Sequence, residues 1–422
     1  MREYKEYLDK LGYINIHSLI KKKKPKQVGS LYTSMVTGII IGIGVSVINT
    51  RFLGPQQYGD LKFLQNLFGF VVTFLTLGVF VSGSRLLALK KNGPIKNQLV
   101  CSLLILAAAI SVVLIVALFI FSFFEEQIFH NELERIIRIF SPLLFVFPFK
   151  LCLLNIMQGD NRIYELSIFQ LSPKVLYLLA AIAFNYFVPL SLTSALGIQL
   201  FALALMILIM IIRFKPKFVN IKKNILIIWQ QNKTYGFHDY IGTIVGTASA
   251  YLGNLSIGYF INNTNVGYFS LAVAITAPLV MIPNAVGTTL FRDFANRNSI
   301  PKKVTAVTIV LSIAAFIFFI LIIKKLILLL YSSEYIAVVP VAYLVSIGSF
   351  FHGFGDYITR FMAAHGKGKD LRNCAFTVGI SNIIGYLLLV YYFGVKGAAI
   401  TRLTSGIIYL GVMIHFYKKL KK

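Results

Sequence analysis

Long apolar stretches recur along the whole chain and limit its fold more than any other feature. A bilayer core requires about 20 apolar residues per helix. Stretches of that order occupy 31–53, 61–84, 98–124, 135–157, 163–187, 191–213, 236–260, 266–290, 303–323, 335–360, 372–393 and 397–417. With 57% hydrophobic residues and a mean hydropathy of +0.76, the chain is too apolar for an ordinary soluble domain. The sequence predicts an all-α polytopic membrane protein with twelve transmembrane helices.

Basic residues are distributed unevenly among the predicted connections. Most of the 41 Lys and Arg residues lie in the tails and the even-numbered connections, whereas the connection from Glu125 to Glu134 is acidic. Because basic residues are retained on the cytoplasmic side of a membrane, both termini are predicted to be cytoplasmic. The net charge of +26 therefore reflects topology and implies no nucleic acid partner.

The predicted helices form two groups of six around a basic linker. The turn from Asn49 to Asp60 resembles a second turn from Gly258 to Phe269, and Gly267 stands where Gly59 stands in the first. Such internal similarity is typical of transporters built from structural repeats. We predict two pseudo-symmetric six-helix bundles. The predicted parts are a basic cytoplasmic segment without a cleavable signal (1–30), an N-terminal lobe (31–213), a cytoplasmic linker (214–235), a C-terminal lobe (236–417) and a cytoplasmic tail (418–422).

Motifs of enzymes are missing from the sequence. It contains no GxxxxGK[ST] loop for ATP, no HExxH helix and no DxD pair. The three cysteines lie in or beside apolar stretches without metal-ligand spacing, and we interpret them as small hydrophobic residues. The stretch from Glu125 to Glu134, with His130, is interpreted as a solvated acidic cap. We predict no catalytic residue, no metal site and no cofactor.

Positive charges inside the predicted helices are the main candidates for function. A Lys or Arg at the centre of a transmembrane helix costs about 2.5–3.5 kcal/mol, so it normally faces a water-filled cavity or a partner. The candidates are Lys150, Lys174, Arg402, Arg51, Arg85 and Arg360. Lys174 is the most central, whereas Arg51 and Arg85 lie near helix ends, from which long side chains reach the interface. Snorkelling or a structural ion pair is the alternative for each.

Acidic residues within the predicted helices are fewer. They are Glu165, Asp239 and Asp356. His352, Asp356 and Arg360 follow each other at intervals of four and therefore share one helix face. This face predicts either a structural ion pair, which we favour, or a proton or ion relay. Arg162 and Glu165 predict a similar pair at the start of the fifth helix.

The first helical hairpin resembles a known family of membrane proteins. The segment from Gly38 to Arg85, with Arg51-Phe52-Leu53-Gly54-Pro55-x-x-Tyr58-Gly59 at its centre, is similar to the start of Wzx-type flippases of the multidrug/oligosaccharidyl-lipid/polysaccharide (MOP) exporter superfamily. The steps Gly366-Lys367-Gly368-Lys369 and Lys396-Gly397-Ala398-Ala399 resemble this family too. The resemblance implies a MATE-like fold in which two bundles surround a cavity that opens alternately to either side.

The same resemblance implies a substrate and a location. Wzx-type flippases move undecaprenyl-pyrophosphate-linked glycan units across the bacterial inner membrane for O-antigen, capsule or related polymers. The implied partners are this lipid-linked glycan, membrane lipids, an H⁺ or Na⁺ counter-ion, and the polymerase and chain-length proteins of the pathway. The six basic candidates would bind the diphosphate. This assignment comes from their depth in the membrane, since no family motif fixes those positions.

Two other functions stay open at the level of sequence. A cation-coupled multidrug antiporter would share the fold, although the first helix, 31–53, contains no Asp or Glu with which to couple cations. A membrane glycan polymerase or transferase is the second alternative. The excess of intramembrane cations over acids favours an anionic substrate and hence the flippase.

Overall fold

The computed structural model describes residues 24–89 and 94–421, which are helical and contain no strands. The α-helices are α1 (Lys24–Leu75), α2 (Val79–Leu89), α3 (Pro94–Phe121), α4 (Glu125–Phe129), α5 (Glu134–Phe140), α6 (Val146–Gly159), α7 (Ile163–Phe187), α8 (Leu192–Phe214), α9 (Ile221–Gln231), α10 (Phe237–Phe260), α11 (Asn263–Thr289), α12 (Phe291–Ala295), α13 (Lys302–Leu330), α14 (Val338–Ala364) and α15 (Gly368–Lys421). The predicted basic segment 1–30 is described only from Lys24, and the side chain of Asp239 lies outside the described residues.

Two helices are about twice as long as a membrane requires. Nine helices among the described residues are long and apolar enough to cross a bilayer. Two of them lie in α1 and α15, which contain 52 and 54 residues. At 1.5 Å per residue α15 would run to about 80 Å against an apolar core of about 30 Å. Instead, both helices bend at a glycine with positive φ, Gly54 (φ 70°) and Gly394 (φ 59°).

The bend at Gly394 reverses the chain. A Cβ at Gly385 would lie 2.5 Å from the side chain of Thr401, sixteen positions further on, and this proximity is possible only in a hairpin. Proline follows Gly54 directly and fits the first turn of the next helical part, where its missing N–H has no partner to lose. The predicted loop between 53 and 61 is therefore reduced to a single glycine. The multi-pass, all-helical fold is confirmed, and the number twelve stays a prediction.

The structure adds detail within two other predicted segments. The fourth predicted helix, 135–157, is divided into α5, a 3₁₀ turn (Ser141–Phe145) and α6. Pro142 lies in the turn, and its missing N–H explains why the α-helix does not continue there. The predicted linker 214–235 is also largely helical, because it contains α9 and a π turn (Asn232–Gly236).

The connections gather at two ends of the bundle. At one end, near Gly54, the α4 segment meets the α10–α11 turn, since the rings of Phe129 and Tyr259 lie 6.0 Å apart. At the other end Lys96 forms an ion pair with Asp160. We call these the Gly54 end and the Asp160 end. The charge distribution predicts that the Asp160 end is cytoplasmic.

The two similar turns of the sequence contact each other at the Gly54 end. A Cβ at Gly59 would lie 1.9 Å from the carbonyl oxygen of Asn263, and a Cβ at Gly267 would lie 3.0 Å from the Cα of Gly59. Asn263 also donates a hydrogen bond to Asp60 (2.8 Å). Only glycine permits this approach of two backbones. A two-fold relation between the halves of the chain would produce such a contact.

The acidic connection is less solvated than the sequence predicts. Glu126, His130 and Glu132 are exposed, but Glu125 is fully buried. Glu125 lies one helical turn before Phe129, whose ring packs on Phe63 at 4.8 Å, so the two residues share the inward face of α4. The solvated cap is therefore wrong for Glu125. Burial raises the pKa of its carboxyl group to about 7, and the charge of Glu134 acts in the same direction.

Replacement of Glu125 by glutamine is expected to stabilise the protein at pH 8 and to leave its stability nearly unchanged at pH 5. An unfolded glutamate titrates at about pH 4.3. Between that value and about 7, the unfolded state is ionised while folded Glu125 keeps its proton, so the wild type loses stability as pH rises through this window. Thermal unfolding of the purified protein at both pH values measures the effect. Glu132→Gln is the exposed control, and equal stabilisation by Glu125→Gln at the two pH values would contradict the assignment.

Candidate functional site

Lys174 lies on the face of α7 that packs against α1. Its neighbours at i−3 and i+4, Leu171 and Leu178, lie within 3.3 and 3.4 Å of the Cβ positions of Gly38 and Gly44 on α1. Tyr177, on the same side, donates a hydrogen bond to Asn49 of α1. Lys174 is about 16 Å along α7 from Ile163, which is near the middle of a bilayer core of about 30 Å. The side chain therefore starts from the protein interior and not from the lipid surface.

Lys150 approaches the same region from α6. Phe147, one turn earlier on that helix, packs its ring on Phe68 of α1 with 5.7 Å between centroids. Residues three positions apart lie on one side of a helix, so Lys150 also starts from the side of α6 that faces α1. It lies about 14 Å from the end of α6 at Gly159, again near mid-membrane.

A third lysine, Lys62, was missed by the sequence analysis. It lies in α1 two turns after Gly54, with its ammonium group 5.4 Å from the ring centroid of buried Tyr58. The group also donates a hydrogen bond to Gln65 (3.2 Å). Lys62 lies just inside the predicted helix 61–84, and this position could have identified it as an intramembrane lysine. We instead assigned it to the preceding connection. Because the helix resumes directly after Gly54, Lys62 belongs to the bundle.

Lys174 links the three lysines electrostatically. The charge of Lys174 acts on both Lys62 and Lys150. The side chains of Lys150 and Lys174 are solvent-accessible, although the surrounding protein partly shields each ammonium group from bulk water. None of the three belongs to the ion pairs formed within residues 24–89 and 94–421. We call Lys62, Lys150 and Lys174 the lysine cluster. It is a concentration of positive charge without a carboxylate partner.

Side-chain amides continue from the cluster along the contact between the two halves of the chain. Gln65 donates to Gln199 of α8 (2.7 Å). At the next position of α1, Asn254 of α10 donates to Asn66 (3.1 Å) and accepts from Ser270 of α11 (2.9 Å). Amides combine donors and acceptors, as the hydroxyl groups of a saccharide require.

Arg402 lies in a different place from the lysine cluster. It lines a cavity of about 370 Å³ between α10, α14 and α15, together with His352, Tyr409 and Asn382. The Nε atom of Arg402 is buried and has no hydrogen-bond partner there. Its charge acts on His352 and Asp356. The predicted grouping of Arg402 with Lys150 and Lys174 is thus replaced by two separate charged regions.

The predicted pair between Asp356 and Arg360 does not form. Asp356 accepts a hydrogen bond from Tyr409 (3.0 Å), and Arg360 donates from Nε and Nη2 to Asn284 (3.3 Å each). Both residues share a helix face as predicted. Partners on neighbouring helices lie within hydrogen-bond distance of each group, and they replace the pair within the helix.

The predicted pair between Arg162 and Glu165 does form, at 3.2 Å, and it belongs to a network at the Asp160 end. Arg162 also contacts Asp160 (2.6 Å), and Arg213 contacts Glu165 (3.0 Å). Both carboxylates are therefore neutralised by basic partners, including Lys96. This network links α3, α7 and α8 and is structural.

Arg51 and Arg85 make contacts near opposite ends of the bundle. Arg51 donates to the carbonyl oxygens of Leu330 (2.7 Å) and Leu329, the last residues of α13. A guanidinium group at a helix C-terminus satisfies carbonyl groups that have no partner within the helix. Arg85 lies over the ring of Tyr235 in the π turn, 4.3 Å from its centroid. Both residues contact protein outside the lysine cluster.

Comparison with known proteins gives a family and a fold. The profile of a family described as "Polysaccharide biosynthesis protein" matches residues 26–291. No curated protein sequence matches the chain. A structure of the lipid II flippase MurJ in an inward closed conformation matches with a TM-score of 0.73 and 17% identity, over 92% of this chain and 87% of that chain.

Two multidrug transporters share the same architecture. An inward-facing MATE family transporter of the MOP superfamily matches with a TM-score of 0.66 and 13% identity, over 94% of this chain and 99% of that chain. The MATE multidrug transporter DinF-BH matches with a TM-score of 0.68 and 15% identity, over 94% of this chain and 95% of that chain. At these identities the likeness concerns the fold, and the predicted MATE-like fold class is confirmed.

Cysteine labelling can test whether the lysine cluster is wet. A cysteine in place of Lys174 is expected to react with an anionic, water-soluble thiol reagent about tenfold faster than one in place of Leu179, since thiolates form only in contact with water. Leu179 is exposed but lies five residues further, on another side of α7. The three native cysteines are buried and give little background. Equal labelling rates at the two positions would place Lys174 at the lipid surface.

Proposed function

Since the chain belongs to the polysaccharide biosynthesis protein family, we propose that it is a flippase for lipid-linked oligosaccharides. It moves undecaprenyl-pyrophosphate-linked glycan units from the cytoplasmic to the outer leaflet of a bacterial inner membrane. The glycan is a repeat unit of O-antigen, capsule or a related polymer, which a polymerase and chain-length proteins then assemble. The MOP fold, shared with a lipid II flippase and with drug transporters, supports a transporter and gives no support to a glycan polymerase or transferase.

The single observation that carries this proposal is the lysine cluster. The charge of Lys174 acts on Lys62 and on Lys150, and none of the three ammonium groups is in an ion pair among the described residues. A diphosphate supplies the missing negative charge at two adjacent phosphoryl groups. Charge-assisted hydrogen bonds from lysine to phosphate lower the cost of carrying the head group through the apolar core.

The saccharide part of the substrate would lie along the amide groups beside the cluster. Gln65 and Gln199 extend from Lys62, and Asn66, next to Gln65 in α1, continues to Asn254 and Ser270. These groups span both halves of the chain, so a bound glycan would contact both. Relative movement of the halves would then release it.

Neutralising single lysines of the cluster is expected to weaken binding of a lipid diphosphate. Lys174→Gln and Lys150→Gln each remove a charged hydrogen bond worth about 1.5–3 kcal/mol, which corresponds to about a tenfold to hundredfold loss of affinity. Farnesyl diphosphate binding to the purified full chain measures this loss. In a deletion strain, the same variants should restore less surface polysaccharide than the wild type.

Matched variants separate charge from position. Lys174→Arg keeps the charge and should retain most of the binding. Lys324→Gln removes an exposed lysine of α13 and should have no effect. Unchanged diphosphate affinity in Lys174→Gln and Lys150→Gln would refute the role of the cluster.

A cation-coupled drug antiporter is the second candidate, because Asp356 and His352 lie beside a cavity in the C-terminal half. Loss of transport in Asp356→Asn or Glu165→Gln, with Lys174→Ala harmless, would favour it.

Analysis of a deletion strain separates a flippase from a polymerase. A strain without a polymerase still displays single glycan units outside, whereas a strain without the flippase displays none.

A further inference from the structure

An apolar groove lies on the C-terminal half of the chain, away from the lysine cluster. It has a volume of about 750 Å³ and lies between α13, α14 and the last part of α15. Its walls include Ile309, Ile313, Phe350, Phe354, Leu410 and Ile414. We call it the lateral groove. Neither the charged candidates of the sequence nor the proposed transport accounts for it.

The depth of the lateral groove corresponds to one leaflet. Along α13 its lining runs from Lys302 to Ile313, which is about 17 Å at 1.5 Å per residue. The apolar core of a bilayer is about 30 Å thick, so the groove extends from the Asp160 end to about the mid-plane. An acyl chain of the leaflet at that end has the matching length and polarity.

The mouth of the groove is positively charged. Lys302 and Lys418 both line it and both are exposed. Neither belongs to an ion pair in the part of the chain that the structure describes. Tyr417, next to Lys418, accepts a hydrogen bond from the backbone N–H of Ile300 (3.0 Å), which holds the chain before α13 at the groove. Two ammonium groups thus lie at the mouth of the groove, at the end where the charge distribution predicts the cytoplasmic head groups.

We propose that the lateral groove binds one anionic phospholipid from the leaflet at the Asp160 end. Its phosphate lies between Lys302 and Lys418, and an acyl chain follows the apolar wall towards Phe350. Anionic lipids are favoured because the two lysines attract a net negative head group and repel the ammonium group of a zwitterionic one. The site is separate from the lysine cluster and does not depend on the proposed transport.

Native mass spectrometry of the full chain can measure this binding with phosphatidylglycerol and phosphatidylcholine as probes. The wild type should bind one phosphatidylglycerol molecule, with an affinity about tenfold higher than its affinity for phosphatidylcholine, or higher still. The double variant Lys302→Gln/Lys418→Gln should lose this preference. The matched control is Lys303→Gln/Lys419→Gln, which removes the same charge from neighbouring exposed lysines that do not line the groove. The control should keep the preference.

A second pair of variants tests the apolar wall. Ala306→Trp places a large side chain in the groove and should abolish the bound lipid, whereas Val307→Trp, on an exposed position outside the lining, should not. Equal losses in the two lysine pairs would show diffuse surface attraction and overturn the proposal. So would equal affinity for the two phospholipids, or displacement of phosphatidylglycerol by a tighter-binding undecaprenyl diphosphate, which would assign the groove to the substrate.

Discussion

Unpaired positive charge inside a helix bundle is the constraint on which the interior of this protein depends. The charge of Lys174 acts on both Lys62 and Lys150, and such repulsion between like charges grows as they leave water, because the effective dielectric constant falls. An apolar, dry interior would add a desolvation cost of several kcal/mol per ion. The cluster is therefore compatible only with water or a bound anion. The accessibility of Lys150 and Lys174 agrees with this requirement.

The charged side chains of the C-terminal half are arranged differently from those of the lysine cluster. The charges of Arg402 and Arg360 act on Asp356, which also accepts a hydrogen bond from Tyr409. Positive and negative groups thus lie within reach of each other there, and the cavity beside Arg402 is correspondingly less cationic than the lysine cluster. An anion inside the bundle would therefore be attracted more strongly to the lysine cluster than to the cavity beside Arg402.

The sequence predicts well how deep in the membrane a residue lies, and it predicts poorly in which direction its side chain points. Hydropathy locates most of the helices, although α1 begins seven residues before the predicted 31–53 and α13 ends seven residues after the predicted 303–323. The cost of a central charge selects Lys150 and Lys174 as candidates. Depth alone does not specify which neighbour a side chain meets, so Arg402 was grouped with lysines that it does not contact. Lys62 was overlooked because one glycine with positive φ at Gly54, instead of a loop, joins two helical parts.

A local pair was predicted correctly where tertiary partners add to it and wrongly where they replace it. Arg162 and Glu165 are three residues apart at the start of α7, and their pair forms at 3.2 Å. Asp356 and Arg360 are four residues apart in α14, yet Tyr409 and Asn284 take their place as partners. The interaction between such neighbours is worth only about 0.2–0.5 kcal/mol on a helix, so one hydrogen bond from another helix is enough to replace it.

The contact at the Gly54 end combines glycines with polar and aromatic side chains. Besides the glycine contact, five hydrogen bonds join the halves there among the described residues: two from Arg51, one each between Tyr335 and Thr50 and between Tyr331 and Ser46, and one from Asn263 to Asp60. At a net value of about 1 kcal/mol each, they sum to on the order of 5 kcal/mol. Apolar contact adds to this sum, because the rings of Tyr58 and Tyr335 are fully buried with their centroids 6.2 Å apart. Separating the halves at this end therefore costs more than the hydrogen bonds alone, and the glycines, which let the two backbones approach closely, are a condition for the whole contact.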